Sequence, residues 1–294
     1  MFDVKIKSIE MVRLQIPHHK KTESRRPSYN QTAWRAFPIN KYPEFPRQLK
    51  KIPGEVANEV WIKVTAEDGT WGLGLCHWGN LIKALIEDHF TPLLVGRDCL
   101  AIEFLNDLMW RASQRFGANG LVAVARSGID LALWDLKGKL LKLPVYSLIG
   151  GPCREFINCY CTSDDLDWTM ELGFKSFKIS NPVHYEEGTA GINRLEAKVA
   201  KAREMVGPDA DLMLNPVMSY NVEFAIQLFE RLRPYRLRWI EEPLMPHDYE
   251  GLAQIKRAVP TQPIATGEDH HGRHEFRELI SRRCVDIVQP DLRW

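Results

Sequence analysis

The stretch from Asp211 to Asp291 constrains the fold more than any other, because it repeats one pattern three times and ends each repeat on a polar oxygen. The segments DLMLN (Asp211 to Asn215), LRWIEEP (Leu237 to Pro243) and PIATGED (Pro263 to Asp269) are short apolar runs closed by an amide or a carboxylate. Each is followed by a helical pattern: NVEFAIQLFERL, DYEGLAQIKRAV or GRHEFRELISRR. This is β-then-α repetition. The terminal oxygens belong to Asn215, Glu241 and Glu268, 26 and 27 residues apart, about one unit each in an eight-unit α/β barrel of roughly 250 residues. Such residues converge on one face of a barrel, and three oxygen ligands there suit a hard cation such as Mg²⁺. The plainer role for strand-end acids is capping the helices that follow.

The N-terminal third reads differently. VKIKSIEMVRLQI (Val4 to Ile16) alternates like a half-buried strand, and EVWIKVTAEDGTWGLGLCHWG (Glu59 to Gly79) reads as a hairpin turning at Asp68-Gly69. Between them, His18 to Lys51 is a long basic, proline-bearing loop without helical period, of a length that in compact domains usually serves function. From Asn80 to Lys142 the period becomes helical. We therefore expect an α+β capping domain over residues 1–125 and a (β/α) barrel over 126–294. After Gly150-Gly151-Pro152, six barrel strands are expected: Phe156 to Thr162, Ser176 to Ser180, Asp211 to Asn215, Leu237 to Glu242, Pro263 to Glu268 and Asp286 to Asp291. The fold class is α/β, an α+β cap followed by a TIM-like barrel that is incomplete at six of eight strands, with the remaining units expected beyond Trp294.

Composition narrows the partners. With 39 basic and 38 acidic side chains the overall field favours neither nucleic acid nor an anionic membrane, so a cleft must select a small-molecule substrate. The six cysteines show no CxxC spacing and read as reduced thiols. The charged N-terminal strand is no signal region, and no run of about 18 apolar residues occurs, which points to a soluble cytoplasmic protein.

The ordered set Lys178-x-Ser180, LMLN, WIEEP, TGE and VQPD resembles the enolase superfamily in its mandelate racemase subgroup, and within it most resembles the L-rhamnonate dehydratases. The likeness covers nearly the whole chain. It implies Mg²⁺ held by Asn215, Glu241 and Glu268, a sugar-acid substrate, a homo-oligomer, and removal of the proton next to the carboxylate with loss of the β-hydroxyl to give a 2-keto-3-deoxy acid. Glu242 is as acidic as Glu241, but neighbours on a strand face opposite ways, so one alone enters the centre. Asn215 stands where the family has an aspartate, which leaves the ligand set one negative charge short.

Further roles follow from the same resemblance. Lys178 would neutralise the substrate carboxylate or help position a base. Ser180 replaces the second lysine that serves racemases as base, so one face of the substrate lacks a base and a one-sided reaction is expected. Asp291 would orient a catalytic histidine lying beyond Trp294. His270 and His271 are candidates for substrate hydroxyls and Arg47 for the substrate carboxylate, whereas His18 and His19 read as solvated loop residues. A non-catalytic relative that keeps the fold is the alternative.

Overall fold

The structure is a computed structural model that describes residues 4–14, 33–48 and 59–293. The histidines at 18 and 19 lie outside the described residues. Two compact units are distinguished: one comprises Met1–Lys20, Val56–Phe156 and Asp291–Trp294, the other Lys21–Glu55 and Ile157–Pro290.

In the first unit, β1 (Ile6–Val12), β2 (Val60–Ala66) and β3 (Trp71–Cys76) form an antiparallel sheet in that order. The hairpin turns where the sequence predicts it, with the Thr70 amide donating to Asp68 Oδ1 at 2.9 Å and Gly69 at φ +87°. A helical run, α1 (Gly79–Ala84, continued through Leu85–Phe90 and Thr91–Leu94), is followed by α2 (Ile102–Ala112), α3 (Leu121–Leu141) and the short α4 (Val145–Leu148). Two glycines of β3 explain how closely α3 approaches the sheet: a Cβ at Gly72 would stand 2.1 Å from the Ala132 carbonyl, and one at Gly74 would stand 2.0 Å from that of Gly128. The core of this unit combines Ile62 and Val64 of the sheet with Ile129, Leu133 and Leu136 of α3. The expected boundary after residue 125 falls inside α3.

The second unit is the parallel α/β sheet expected of an incomplete barrel. Its strands β4 (Cys161–Thr162), β5 (Ser176–Ser180), β6 (Asp211–Asn215), β7 (Ile240–Glu241), β8 (Ile264–Thr266) and β9 (Ile287–Val288) lie side by side in sequence order. Helices α5 (Leu166–Glu171), α6 (Gly188–Val206), α7 (Val222–Leu232), α8 (Tyr249–Ala258) and α9 (Gly272–Ser281) alternate with them. β4 is shorter than the expected Phe156 to Thr162, because it pairs only through Cys161↔Phe177 and Thr162↔Lys178, and β5 offers no backbone before Ser176. Phe156 and Ile157 are consequently exposed.

The strand period of two sorts the side chains into layers. Phe177, Ile179, Leu212, Leu214, Ile240 and Ile264 join Leu228, Phe229, Leu252 and Ile255 in the core between sheet and helices, each such burial stabilising by about 1.5–3 kcal/mol. Met213, Trp239 and Ala265, with Ile287 against them, form a separate cluster, and these alternate along the strands with the first set. Among the described residues no helix is long and apolar enough to cross a membrane.

Candidate functional site

The helix-capping role goes to residues other than the strand-end ligand candidates. Asn221 accepts from the Phe224 amide at 2.8 Å at the start of α7, and Asp248 accepts from Gly251 at 2.9 Å at the start of α8. Asn215 and Glu241, at the ends of β6 and β7, are left for other work.

They meet in one buried cluster. Register sets Ser180 beside Asn215 across β5 and β6, so the ends of these strands are level. Lys178 reaches Glu241 Oε1 from two residues back on β5, Nζ to oxygen 2.5 Å, and Asn215 Nδ2 donates to the same oxygen at 2.8 Å. Glu241 Oε2 accepts from Trp239 Nε1 and Gln289 Nε2, each at 3.0 Å. A carboxylate has about four acceptor sites, and all four here have donors. Glu241 is 1% exposed, so each of these bonds is made where water cannot substitute. Tyr160 walls the cluster, its ring 5.2 Å from Lys178 Nζ and edge-on to Trp239 at 5.4 Å between centroids.

Burial works to lower the pKa of the Lys178 ammonium, but the Glu241 carboxylate more than offsets it, with smaller help from Tyr160 and Glu268, so the ammonium is held above the ordinary lysine value. Glu268, half-buried two residues past β8, thus joins the cluster through its field. Glu242 behaves in the opposite manner to its neighbour. Its side chain is buried with Oε1 unbonded, its backbone holds φ +42°, and burial, reinforced by Asp269, Glu268 and Glu241, pushes its carboxyl up to about 8. Of the two, Glu241 makes the hydrogen bonds to Lys178 and Asn215, and Glu242 acts on Glu241 and Glu268 only through its field.

The orientation of Asn215 is fixed by chemistry at both ends. The Val217 amide can only donate, and it donates to Asn215 Oδ1 at 2.9 Å, so the amide nitrogen is the atom that faces Glu241. Val217 and Met218 lie at φ +53° and +58°, a strained turn for a β-branched and a bulky residue. Among the described residues no three His, Cys, Asp or Glu side chains gather to hold a metal ion. The two carboxylates, Glu241 and Glu268, are the kind of oxygen donor that a hard cation takes, whereas the Lys178 ammonium already resting on Glu241 occupies the place of a cation and would have to give way to it.

The other candidates have different partners. Arg47 donates to the Pro182 carbonyl and pairs with Glu187 Oε1 at 2.6 Å, tying the 33–48 segment to the turn after β5. His270 is 2% exposed, its ring packed among His247, Tyr249 and Phe276. Burial lowers its pKa. The His271 amide donates to Glu275 Oε2 at 2.5 Å at the start of α9, with the imidazole 3.9 Å from that oxygen. Asp291 belongs to the first unit, where its carboxylate takes Arg293 Nε and Nη2, and Arg293 Nη1 lies 3.0 Å from His77 Nε2. Burial would raise the Asp291 pKa, but Arg293 outweighs it and holds the carboxyl low. Ser180 is committed to Asp164 and Lys198, with Lys198 Nζ 2.8 Å from Oγ and Oγ 2.5 Å from Asp164 Oδ2.

The sequence reading missed Trp239, Gln289 and Tyr160. The period-two signal could have found the first, two residues before Glu241 on the same face, whereas Tyr160 just before β4 and Gln289 just after β9 flank strands whose ends the sequence does not align with β7.

Comparison with known proteins agrees with this architecture. Residues 40–150 match the mandelate racemase/muconate lactonizing enzyme N-terminal domain, and residues 164–294 match the enolase C-terminal domain-like family. An L-rhamnonate dehydratase of Saccharopolyspora erythraea is 38% identical over 260 residues, which span 88% of this chain and 67% of that protein. The crystal structure of L-rhamnonate dehydratase from Gibberella zeae superposes with TM-score 0.90 at 33% identity, covering 100% of this chain and 72% of the other, and a rhamnonate dehydratase from the same organism is known complexed with Mg at 32% identity and TM-score 0.90 over 100% of this chain and 73% of that one. A 3,6-anhydro-D-galactonate cycloisomerase from Zobellia galactanivorans is 34% identical with TM-score 0.74, over 80% of this chain and 67% of that one. On its two matched domains and these relatives, the chain belongs to the mandelate racemase and muconate lactonizing enzyme group of the enolase superfamily.

Proposed function

We propose that the chain is an acid-sugar dehydratase with an L-rhamnonate-like substrate, acting with Mg²⁺ at Glu241 and Glu268 and with Asn215 as the third ligand once its amide turns. The observation that carries the reading is the buried Lys178–Glu241 pair at the carboxyl ends of parallel strands, with Glu268 beside it and Asn215 bonded to the same oxygen. Bound Mg²⁺ would act as a Lewis acid toward a substrate carboxylate and so acidify the neighbouring C–H. Lys178 supplies a second positive charge for that carboxylate, and Tyr160 and Trp239 keep the ammonium from water. Ser180 is no base: its hydroxyl is engaged by Asp164 and Lys198, which leaves one face of the substrate without a proton acceptor and favours elimination over racemisation. Asp291 is the proposed orienting carboxylate for a histidine base, a role that requires Arg293 to release it. His270, His271 and Arg47 remain candidates for substrate contact only if they leave the partners described above.

One observation favours the second reading, a ligand-binding relative without turnover: all four acceptor sites of Glu241 are already filled by protein donors. The two readings separate on one experiment. The purified chain with Mg²⁺ is screened against hexonic and 6-deoxyhexonic acids, with detection of 2-keto-3-deoxy products and Glu268→Gln as control. Turnover of L-rhamnonate above the control supports the dehydratase. Substrate binding without product supports the non-catalytic relative only when the protein tested also carries the histidine base that Asp291 would orient.

A further inference from the structure

We infer that Lys178 is the resident counter-ion of Glu241 in this chain, and that a divalent cation gains Oε1 only by displacing the Lys178 ammonium. The inference rests on the reading of Glu241 as a metal ligand and adds what sets the affinity of that ligand. Three observations support it.

First, the pair is electrically complete. Glu241 contributes one negative charge, Lys178 one positive charge, and the remaining donors, Asn215, Trp239 and Gln289, are neutral. An aspartate at 215 would add a carboxylate that one ammonium cannot balance. With Asn215 the single ammonium balances Glu241, and Glu268 acts on it only through its field.

Second, the ammonium is enclosed. The Lys178 side chain is 9% exposed and that of Glu241 1%, and the Tyr160 ring lies 5.2 Å from Nζ. In such a place an unpaired carboxylate is costly, so the protein supplies a cation of its own.

Third, the oxygen that would welcome a metal at position 215 is turned away. Asn215 Oδ1 is held by the Val217 amide within the left-handed turn of Val217 and Met218. Rotating the amide costs that bond and also removes the Nδ2 donor from Glu241. The resting cluster therefore points hydrogen-bond donors inward, the arrangement that holds a carboxylate rather than a cation. Gln289 fits the same pattern: its Nε2 faces Glu241 because a carboxylate only accepts, and its Oε1 is left buried and without a partner. Lys178 is thus a positioning residue, holding Glu241 until a stronger cation arrives, and a dication arriving at Oε1 meets its repulsion as well as the attraction of Glu241.

Titration calorimetry with MgCl₂ on the unmodified chain, Lys178→Met and Glu241→Gln tests this. Lys178→Met should bind Mg²⁺ at least about tenfold more tightly than the unmodified chain, since the competing charge is gone, and Glu241→Gln should bind more weakly than either. Equal or weaker binding by Lys178→Met overturns the competition while leaving Glu241 a metal ligand. Absence of Mg²⁺ binding in both proteins overturns the competition together with the metal reading on which it rests. Should Lys178→Met fail to fold, the unmodified chain decides: its lysines are acylated with a small reagent with and without MgCl₂, and Lys178 is followed by peptide mass spectrometry. Protection without the metal and faster labelling with it is the expected result. Labelling that is unchanged or slowed by MgCl₂ overturns the inference.

Discussion

Two lysine–carboxylate pairs touch strand β5, one through Lys178 itself and the other against Ser180 two residues on, and they behave oppositely. Lys178 pairs with Glu241 at 2.5 Å with both side chains buried, and its ammonium is held above the ordinary lysine value because the carboxylate outweighs burial. Lys198 reaches from α6 to Asp164 at 3.0 Å, with side chains 28% and 31% exposed, and burial lowers its pKa because Asp164 offsets it only in part. Two of the three donors of Lys198 go to neutral oxygens, the carbonyl and hydroxyl of Ser180. The same residue types therefore serve different ends: the first pair is a charge centre closed to water, and the second pins Ser180, whose hydroxyl also lies 3.2 Å from the Trp34 carbonyl in the 33–48 segment.

The largest expected effect is on the inner pair. Lys178→Met leaves a buried carboxylate without its cation and should lower stability by about 3–5 kcal/mol, measured by urea unfolding. A loss no larger than that of an exposed pair would show that water enters the Glu241 cluster. Next comes Trp239→Phe, which keeps the aromatic volume beside Tyr160 but removes the indole donor to Glu241 Oε2; about 1–3 kcal/mol should be lost, and the Lys178→Met background should change that loss because the two donors share one carboxylate. The outer pair should matter least: Lys198→Met should cost about 0–1 kcal/mol at neutral pH.

A pH series sharpens the contrast. The folded pKa of Lys198 lies below its unfolded value of 10.5, so between the two the unfolded chain binds more protons and stability rises with pH. The unmodified chain should therefore gain on Lys198→Met as pH climbs through that window toward 10.5. A relative loss over the same window would mean that Asp164 outweighs burial after all.

Much of this architecture was legible in the residues, and the reasons are local. Asp68-Gly69 can scarcely be anything but a turn, and the repeated apolar run with a terminal oxygen marks strand ends. What escaped was tertiary in origin, in contacts between loops and helices. Arg47 carries a charge suited to a substrate carboxylate, yet its guanidinium is spent on Glu187 and Pro182, more than a hundred residues on. His270 follows the strand-end acid closely, yet its ring packs against the side chains of His247, Tyr249 and Phe276.

The sequence by itself determined the succession of strands and helices, the family to which the chain belongs, and the residue types at the strand ends, because periodicity, turn chemistry and motif order are properties of neighbouring residues. It determined equally that position 215 carries an amide and not a carboxylate. Only the tertiary structure decided which atom of that amide faces Glu241, since the choice depends on the Val217 amide on one side and a carboxylate from another strand on the other. It alone decided, too, that Lys178 and Gln289 reach one oxygen each of Glu241: hydrogen bonds between distant segments depend on register and burial, and register is fixed by pairing across the sheet rather than by the order of residues along it.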